Sequence, residues 1–110
     1  MKTILLDECI PEKFKFSLVP HSCLSVRKAG FAGKKNGELL ALAEGKFDVL
    51  VTVDKSVRHQ QNLRGRRIAV LIIRARGNSL AMLRPHAAAC LLALESIQAG
   101  EVVEVGGPTS

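Results

Sequence analysis

Two apolar runs of this sequence each end on a carboxylate. Ile4-Leu5-Leu6 leads into Asp7, and the run from Val49 to Val53 leads into Asp54. In an open parallel α/β sheet, ligands bind just beyond the carboxyl ends of the strands. If both runs are strands of one such sheet, Asp7 and Asp54 face the same crevice. Two carboxylates converging there indicate a divalent-metal site.

A third carboxylate, Glu38, is expected at the same rim. It lies in the first turn of a helix predicted from Asn36 to about Glu44, and a strand precedes that helix. Three carboxylates can hold Mg²⁺ or Mn²⁺, which prefer hard oxygen ligands, and such an ion activates water and stabilises a phosphoryl transition state. Simpler roles stay open. The helix dipole alone favours Glu38, and each Asp could cap a helix or a turn.

The elements that must position these residues follow an alternating pattern. Strands are predicted at Lys2–Leu6, Ser22–Val26, Asp48–Val53 and Arg67–Ile73, with an edge strand at Glu101–Val105. Helices are predicted from Pro11 to before Pro20, from Asn36 to Glu44 ahead of Gly45, and from Asn78 or Ser79 to about Gln98. Strands that alternate with helices imply a mostly parallel sheet with helices on both faces.

Length and composition predict one domain in a reducing compartment. The 110 residues fit a single domain over 1–105, followed by a flexible tail over 106–110. The three cysteines have no C-x-x-C spacing and are expected to be reduced thiols of a cytoplasmic protein. The N-terminal apolar run is too short for a signal peptide, and the run Ile68–Ile73 is too short to span a membrane, so we expect no membrane contact.

The charge distribution indicates a polyanionic partner. The net charge is +6, and the segment from Lys55 to Leu94 holds eight Lys or Arg and no Asp or Glu, so the rest of the chain carries −2. The alternative is a solvated basic surface that aids solubility. Lys55, Arg74 and Arg76 are expected near the carboxylate rim, where they would contact phosphates. Arg64 to Arg67 are expected at the other end of their strand, as a distal patch or a site for an acidic partner.

The histidines and aromatic residues favour no other chemistry. His21, His59 and His86 do not fall at metal-ligand spacing, and Cys9, His21 and Cys23 have no evident fourth zinc ligand. His59 could contact a substrate, but a solvated loop histidine is the simpler interpretation. With no Trp, no Tyr and four Phe, base-stacking platforms of the RRM kind are disfavoured.

Four segments together resemble a family of small PIN-like domains related to VapC-type toxins. They are L-L-D-E-x-x-P at Leu5–Pro11, V-L-V-T-x-D-K at Val49–Lys55, the helix Asn36–Ala43, which is similar to D-E-E-x-L-x-x-A, and the apolar strand Ile68–Arg74 ending in Arg. The resemblance extends from Lys2 to about Ile97. Its specificity comes from the order and spacing of the four segments.

The resemblance implies a PIN-like three-layer α/β/α fold with a mostly parallel central sheet, and metal-dependent cleavage of RNA. Asp7, Glu38 and Asp54 would be the acidic metal ligands, and water activated by Mg²⁺ or Mn²⁺ would attack the scissile phosphate in line. Family members are often considered toxins of toxin–antitoxin pairs. The resemblance therefore implies RNA and an antitoxin protein as partners, and a homodimer is compatible with it.

The sequence departs from the family pattern at two places. The family usually reads D-K-D-F where this chain has Asp54-Lys55-Ser56-Val57, and Asn36-Gly37 replaces an acidic pair before Glu38. Fewer negative ligands should weaken metal binding. Ser56 is assigned an auxiliary role only, since a hydroxyl is a poor substitute for a carboxylate. Glu8 is assigned an auxiliary role as well.

Two alternative functions remain open. A degenerate PIN-like domain would bind RNA or an antitoxin without cutting. A response-regulator receiver domain also has an acid pair after its first strand and an Asp after its third, as Asp7, Glu8 and Asp54 are here. A receiver further needs a hydroxyl or small residue after its fourth strand and a Lys after its fifth, where this chain has Arg74 and Val105-Gly106.

Overall fold

A parallel β-sheet forms the centre of the protein. The computed structural model describes residues 1–34, 36–57 and 63–107. Within these residues, five strands pair in the order β2-β1-β3-β4-β5, and every pairing is parallel. The strands are β1 (Thr3–Leu6), β2 (Ser22–Ser25), β3 (Val49–Thr52), β4 (Ala69–Arg74) and β5 (Val102–Gly106).

Helical segments connect most of these strands. A 3-10 helix, Glu12–Ser17, lies between β1 and β2, and α1 (Asn36–Ala43) lies between β2 and β3. After β4 come α2 (Leu80–Leu83), a second 3-10 helix (Arg84–His86) and α3 (Ala87–Ser96). The predicted α/β fold class is confirmed, and no helix in the described ranges is long and apolar enough to cross a membrane.

Two apolar clusters cover opposite faces of the sheet, because neighbouring residues of a strand point to opposite sides. Ile4 and Leu6 of β1 pack in one cluster with Phe14 of the first 3-10 helix and Leu94 of α3. Leu5 packs in the other cluster with residues of α1 such as Leu39 and Leu40. The central strands β3 and β4 are buried on both faces, as their uninterrupted apolar runs predict.

The strand order places a topological switch point between β1 and β3. From β1 the chain moves outward to β2, and it then returns past β1 to β3. Connections that diverge in this way leave a crevice outside the carboxyl ends of the two strands, which is where ligands bind in open α/β sheets. Asp7 directly follows β1, and Asp54 lies two residues after β3.

The long helix predicted from Ser79 to Gln98 is wrong as a single element. Ser79 does cap its start, since its side chain accepts a hydrogen bond from the Met82 amide. The α-helix then gives way to the 3-10 turn Arg84–His86 at Pro85. Proline has no N–H to donate and its ring clashes with the carbonyl four residues earlier, so it interrupts the helix.

The end of β5 enters the segment predicted as a tail. Gly106 is the last residue of β5 and pairs with Arg74, and the Gly107 amide donates to the Arg74 carbonyl at 2.6 Å. The remaining positions of that segment, 108–110, lie outside the described residues.

Candidate functional site

A buried threonine joins β3 to the acidic end of β1. Thr52, the last residue of β3, is fully buried, and its hydroxyl donates to Oδ2 of Asp7 at 2.7 Å. The Asp7 amide donates to the Val51 carbonyl at 3.0 Å, so the backbone pairing of β1 and β3 continues through Asp7. Backbone and side chain together fix this carboxylate beside β3.

The same threonine also holds the turn that carries Asp54. Its Oγ1 accepts a hydrogen bond from the Asp54 amide at 3.0 Å. Oδ1 of Asp54 in turn accepts from the amide and the hydroxyl of Ser56, at 2.9 and 2.6 Å. Asp7 and Asp54 are therefore brought to one rim and joined through a single hydroxyl, and Ser56 orients the second carboxylate.

Cys9 also contacts Asp7. Its Sγ lies 3.8 Å from Oδ2 of Asp7 and 3.6 Å from Oγ1 of Thr52. Burial raises the pKa of the Cys9 thiol, and the negative charge of Asp7 raises it further. The thiol is therefore protonated near neutral pH and serves as a weak hydrogen-bond donor to the carboxylate.

The two other predicted acids are engaged elsewhere. Glu38 is exposed, with 59% of its side chain accessible, and its Oε2 lies 3.6 Å from Nζ of Lys34. Oε1 of Glu8 accepts a hydrogen bond from the Gly33 amide at 2.9 Å. Among residues 1–34, 36–57 and 63–107, no three His, Cys, Asp or Glu side chains are grouped as the ligands of one ion.

The donor set at the rim nevertheless fits a small hard cation. Mg²⁺ is commonly held by one or two carboxylates and completes its octahedron with waters and substrate phosphate. Asp7 and Asp54 supply two such carboxylates, and both side chains are partly exposed. Asp7 and Asp54 would hold the ion, with the remaining positions left to water and to a phosphate oxygen.

A basic cavity of about 450 Å³ lies at the same edge of the sheet. Its lining contains Lys55, Arg74 and Arg76, the three cations that the sequence predicts near the rim. Lys55 follows β3, Arg74 is the last residue of β4, and Arg76 follows β4, so their common position results from the parallel pairing of these strands. Nε of Arg74 also lies 3.6 Å from Oε1 of Glu104 on β5.

The lining of the cavity also contains His86, Met82, Ala75 and Gly107. His86 lies against the end of β5. A Cβ atom added at Gly106 would be only 2.6 Å from Nδ1 of His86 and 2.8 Å from the Arg74 carbonyl. Because no such approach is tolerated by a real side chain, glycine at position 106 allows β5 and His86 to come together.

Glu44 contacts two of the distal arginines, the side chain of Arg66 and the backbone of Arg67. Nη1 of Arg66 lies 3.0 Å from Oε1 of Glu44, and the Arg67 amide donates to Oε2 at 2.6 Å. The backbone hydrogen bond from Arg67, followed by the Arg66 side chain, lowers the pKa of Glu44. Arg66 therefore joins the start of β4 to the end of α1, and the basic character predicted for this patch is partly neutralised.

The sequence patterns do not predict two residues of the site, Thr52 and His86. Thr52 ends an aliphatic strand, and a lone hydroxyl there was the available signal. His86 falls inside the helix predicted from Ser79 to Gln98, and nothing in that pattern indicates the turn at Pro85 or the close approach of Gly106. His59, weighed as a substrate contact, lies outside the described residues.

The geometry described so far comes from this chain alone. Comparisons with protein-family models, with curated proteins and with solved structures find no match to it.

Proposed function

We propose that this protein is a metal-dependent endoribonuclease with a PIN-like α/β/α arrangement, using Mg²⁺ or Mn²⁺ held by Asp7 and Asp54. One observation carries the proposal: at the switch point of a parallel sheet, the Thr52 hydroxyl donates to the Asp7 carboxylate at 2.7 Å and accepts from the Asp54 backbone amide at 3.0 Å. Catalytic groups of open α/β folds lie at this place.

The residues of the chain would have separate tasks in such a reaction. Asp7 is held by Thr52 at one oxygen and by the Glu8 amide at the other, 2.8 Å away, so its carboxylate is fixed before any ligand arrives. Ser56 fixes Asp54 in the same way. A bound divalent ion would supply activation of water and stabilisation of the phosphoryl transition state.

The basic residues would bind and orient the RNA strand. Lys55 follows Asp54 directly, Arg74 ends the neighbouring strand β4, and Arg76 lies two residues beyond it. Contacts of this kind to phosphates fix the position of a strand without reading its sequence. RNA is therefore the proposed substrate, and the sequence it prefers would be set by other contacts.

Further parts of the proposal come from the family resemblance. Glu38 is the third acidic ligand in that scheme, and its exposed pairing with Lys34 means that it would have to turn toward the rim to take part. The roles as a cytoplasmic toxin, as a partner of an antitoxin and as a homodimer belong to the same proposal.

Two other functions each have an observation in their favour. The outward position of Glu38 favours an RNA-binding domain that does not cut. The strand order 2-1-3-4-5 occurs in receiver domains, where Asp54 would accept a phosphoryl group. Arg74 and Gly106 then stand where a receiver needs a small or hydroxyl residue and a lysine.

One set of assays separates the three functions. Single-stranded RNA is incubated with the protein in Mn²⁺, in Mg²⁺ and in EDTA, beside Asp7→Asn, Asp54→Asn and Glu95→Gln, an exposed carboxylate of α3 that serves as control. Cleavage is expected only with a divalent ion, and only for the wild type and the control. Cleavage that persists in purified Asp7→Asn contradicts the assigned role.

The remaining outcomes point to the alternatives. RNA binding without cleavage under every metal condition supports the non-cutting domain. Labelling of Asp54 by acetyl phosphate, detected by mass spectrometry and lost in Asp54→Asn, supports the receiver.

A further inference from the structure

We propose that the basic cavity binds a single nucleotide, with its phosphate at Lys55, Arg74 and Arg76 and its base against Met82 and His86. That this nucleotide belongs to an RNA strand rests on the proposed function. Recognition of a nucleoside phosphate by the cavity is independent of the proposed function, because it requires no metal and no cleavage.

The charge of the cavity favours a phosphate. Lys55 and Arg76 are exposed, and neither has an ion-pair partner among the residues that the structure describes. Arg74 has one partner, Glu104, in a partly exposed pair at 3.6 Å. Three cations therefore surround a concave space, where their fields add and attract an anion.

The volume and the apolar lining of the cavity favour a ligand larger than a free phosphate ion. The volume of about 450 Å³ lies within the range of small-molecule sites, about 300 to 1,000 Å³. Ala75 and Met82 give the wall apolar surface, and methionine adapts readily to a flat ring. A base can fill this space while the phosphate remains at the cations.

His86 is the residue suited to contact the base. Its position is fixed by the close approach of Gly106, so the imidazole faces the cavity from a rigid support. Histidine is among the side chains on which unpaired RNA bases stack, and its ring nitrogens can also form hydrogen bonds. The chain has no Trp or Tyr to do this elsewhere.

The location connects the cavity to the acidic rim. Lys55 lines the cavity and is the direct neighbour of Asp54. A strand with one phosphate at Asp7 and Asp54 would therefore place an adjacent nucleotide in the cavity. An acidic peptide fits less well, because its carboxylate side chains carry no ring to fill the space beside Met82 and His86.

The experiment is an NMR titration in EDTA with adenosine 5′-monophosphate, adenosine and inorganic phosphate. We expect the monophosphate to shift the signals of Ala75, His86 and Gly107 at lower concentration than either of the other two probes. Lys55→Ala should weaken its binding by about tenfold, as expected for loss of one charged contact. Lys13→Ala, an equally exposed lysine of the first 3-10 helix, should leave binding unchanged.

A second variant tests the base contact. His86→Ala should bring the affinity for the monophosphate down to that for inorganic phosphate. Equal binding of phosphate and monophosphate by the wild type would overturn the inference in favour of a plain anion site. Binding of a poly-glutamate peptide in place of the monophosphate would also overturn it. Because EDTA excludes cleavage, either result leaves the ribonuclease proposal to its own assay.

Discussion

The hydroxyl of Thr52 donates to Oδ2 of Asp7 across 2.7 Å, from one strand of the sheet to the end of the next. The same oxygen accepts the amide of Asp54. A fully buried hydroxyl with two partners of this kind has no water to replace either of them. The position of both acids therefore depends on one side chain that would itself contact neither metal nor substrate.

Replacing this hydroxyl should damage both stability and cleavage. Thr52→Val keeps the shape of the side chain but removes the hydroxyl donor to Oδ2 of Asp7 and the acceptor of the Asp54 amide, at a cost of about 1 to 3 kcal/mol in the free energy of unfolding. Urea denaturation and the RNA assay measure the two effects. Thr52→Ser retains the hydroxyl and should recover most of the cleavage. Loss of cleavage in Thr52→Ser together with retained cleavage in Thr52→Val would mean that the methyl group, and not the hydrogen bonds, is what matters.

Glu38 should contribute less to cleavage than Asp7. Its side chain is 59% exposed and lies beside Lys34, whereas Asp7 is fixed at the rim. We expect Glu38→Gln to retain a measurable part of the rate that Asp7→Asn abolishes. Cleavage rates over a Mn²⁺ titration test this. Complete inactivity of Glu38→Gln with unchanged folding would show that Glu38 turns inward to act as a ligand.

The approach of Gly106 to His86 can be tested with a matched pair of glycine variants. Gly106 and Gly30 have similar positive φ angles, 77° and 84°, but an added Cβ meets His86 only at Gly106. Gly30→Ala should cost about 1 to 2 kcal/mol from backbone strain alone. Gly106→Ala should cost more and should also shift the His86 ring signals. Equal destabilisation, with unmoved His86 signals, would contradict the close packing.

Acid should weaken the junction between α1 and β4. Contacts with Arg67 and Arg66 lower the pKa of Glu44, so the folded state releases this proton more readily than the unfolded chain. The stabilisation is present above the ordinary pKa and is lost as pH falls through the lowered one. Denaturation of wild type and Glu44→Gln from pH 7 to pH 3 should show a gap in stability that closes toward acid. A gap that stays constant would refute the linkage.

The central strands can be predicted from the sequence because each one depends on its own run of residues. β3 and β4 are uninterrupted apolar runs, and such runs form strands that are buried on both faces. The apolar spacing from Ser79 predicts one continuous helix and does not show the 3-10 turn at Pro85, after which the chain is helical again over Ala87–Ser96. The strand order depends on which runs pair across long stretches of chain, and residue types do not specify that.

The candidate site also has a part that the sequence predicts and a part that it does not. The shared rim of Asp7 and Asp54 and the grouping of Lys55, Arg74 and Arg76 follow from strand ends alone, and the structure has both. The inward position of Thr52 and the contact of His86 with Gly106 depend on side-chain packing between segments distant in sequence. No spacing rule carries that information.

The central position of β1 has a consequence for how the protein acquires its site. β1 is the first strand in the chain, yet it lies between β2 and β3, and the bond from Thr52 to Asp7 joins residues 45 positions apart. Parallel pairings over such distances form slowly, because the chain must lose the entropy of closing a long loop before any contact stabilises the pairing. A nascent or partly folded chain therefore carries two separate acids and no acid pair. Any activity that needs Asp7 and Asp54 together begins only when β3 has paired with β1.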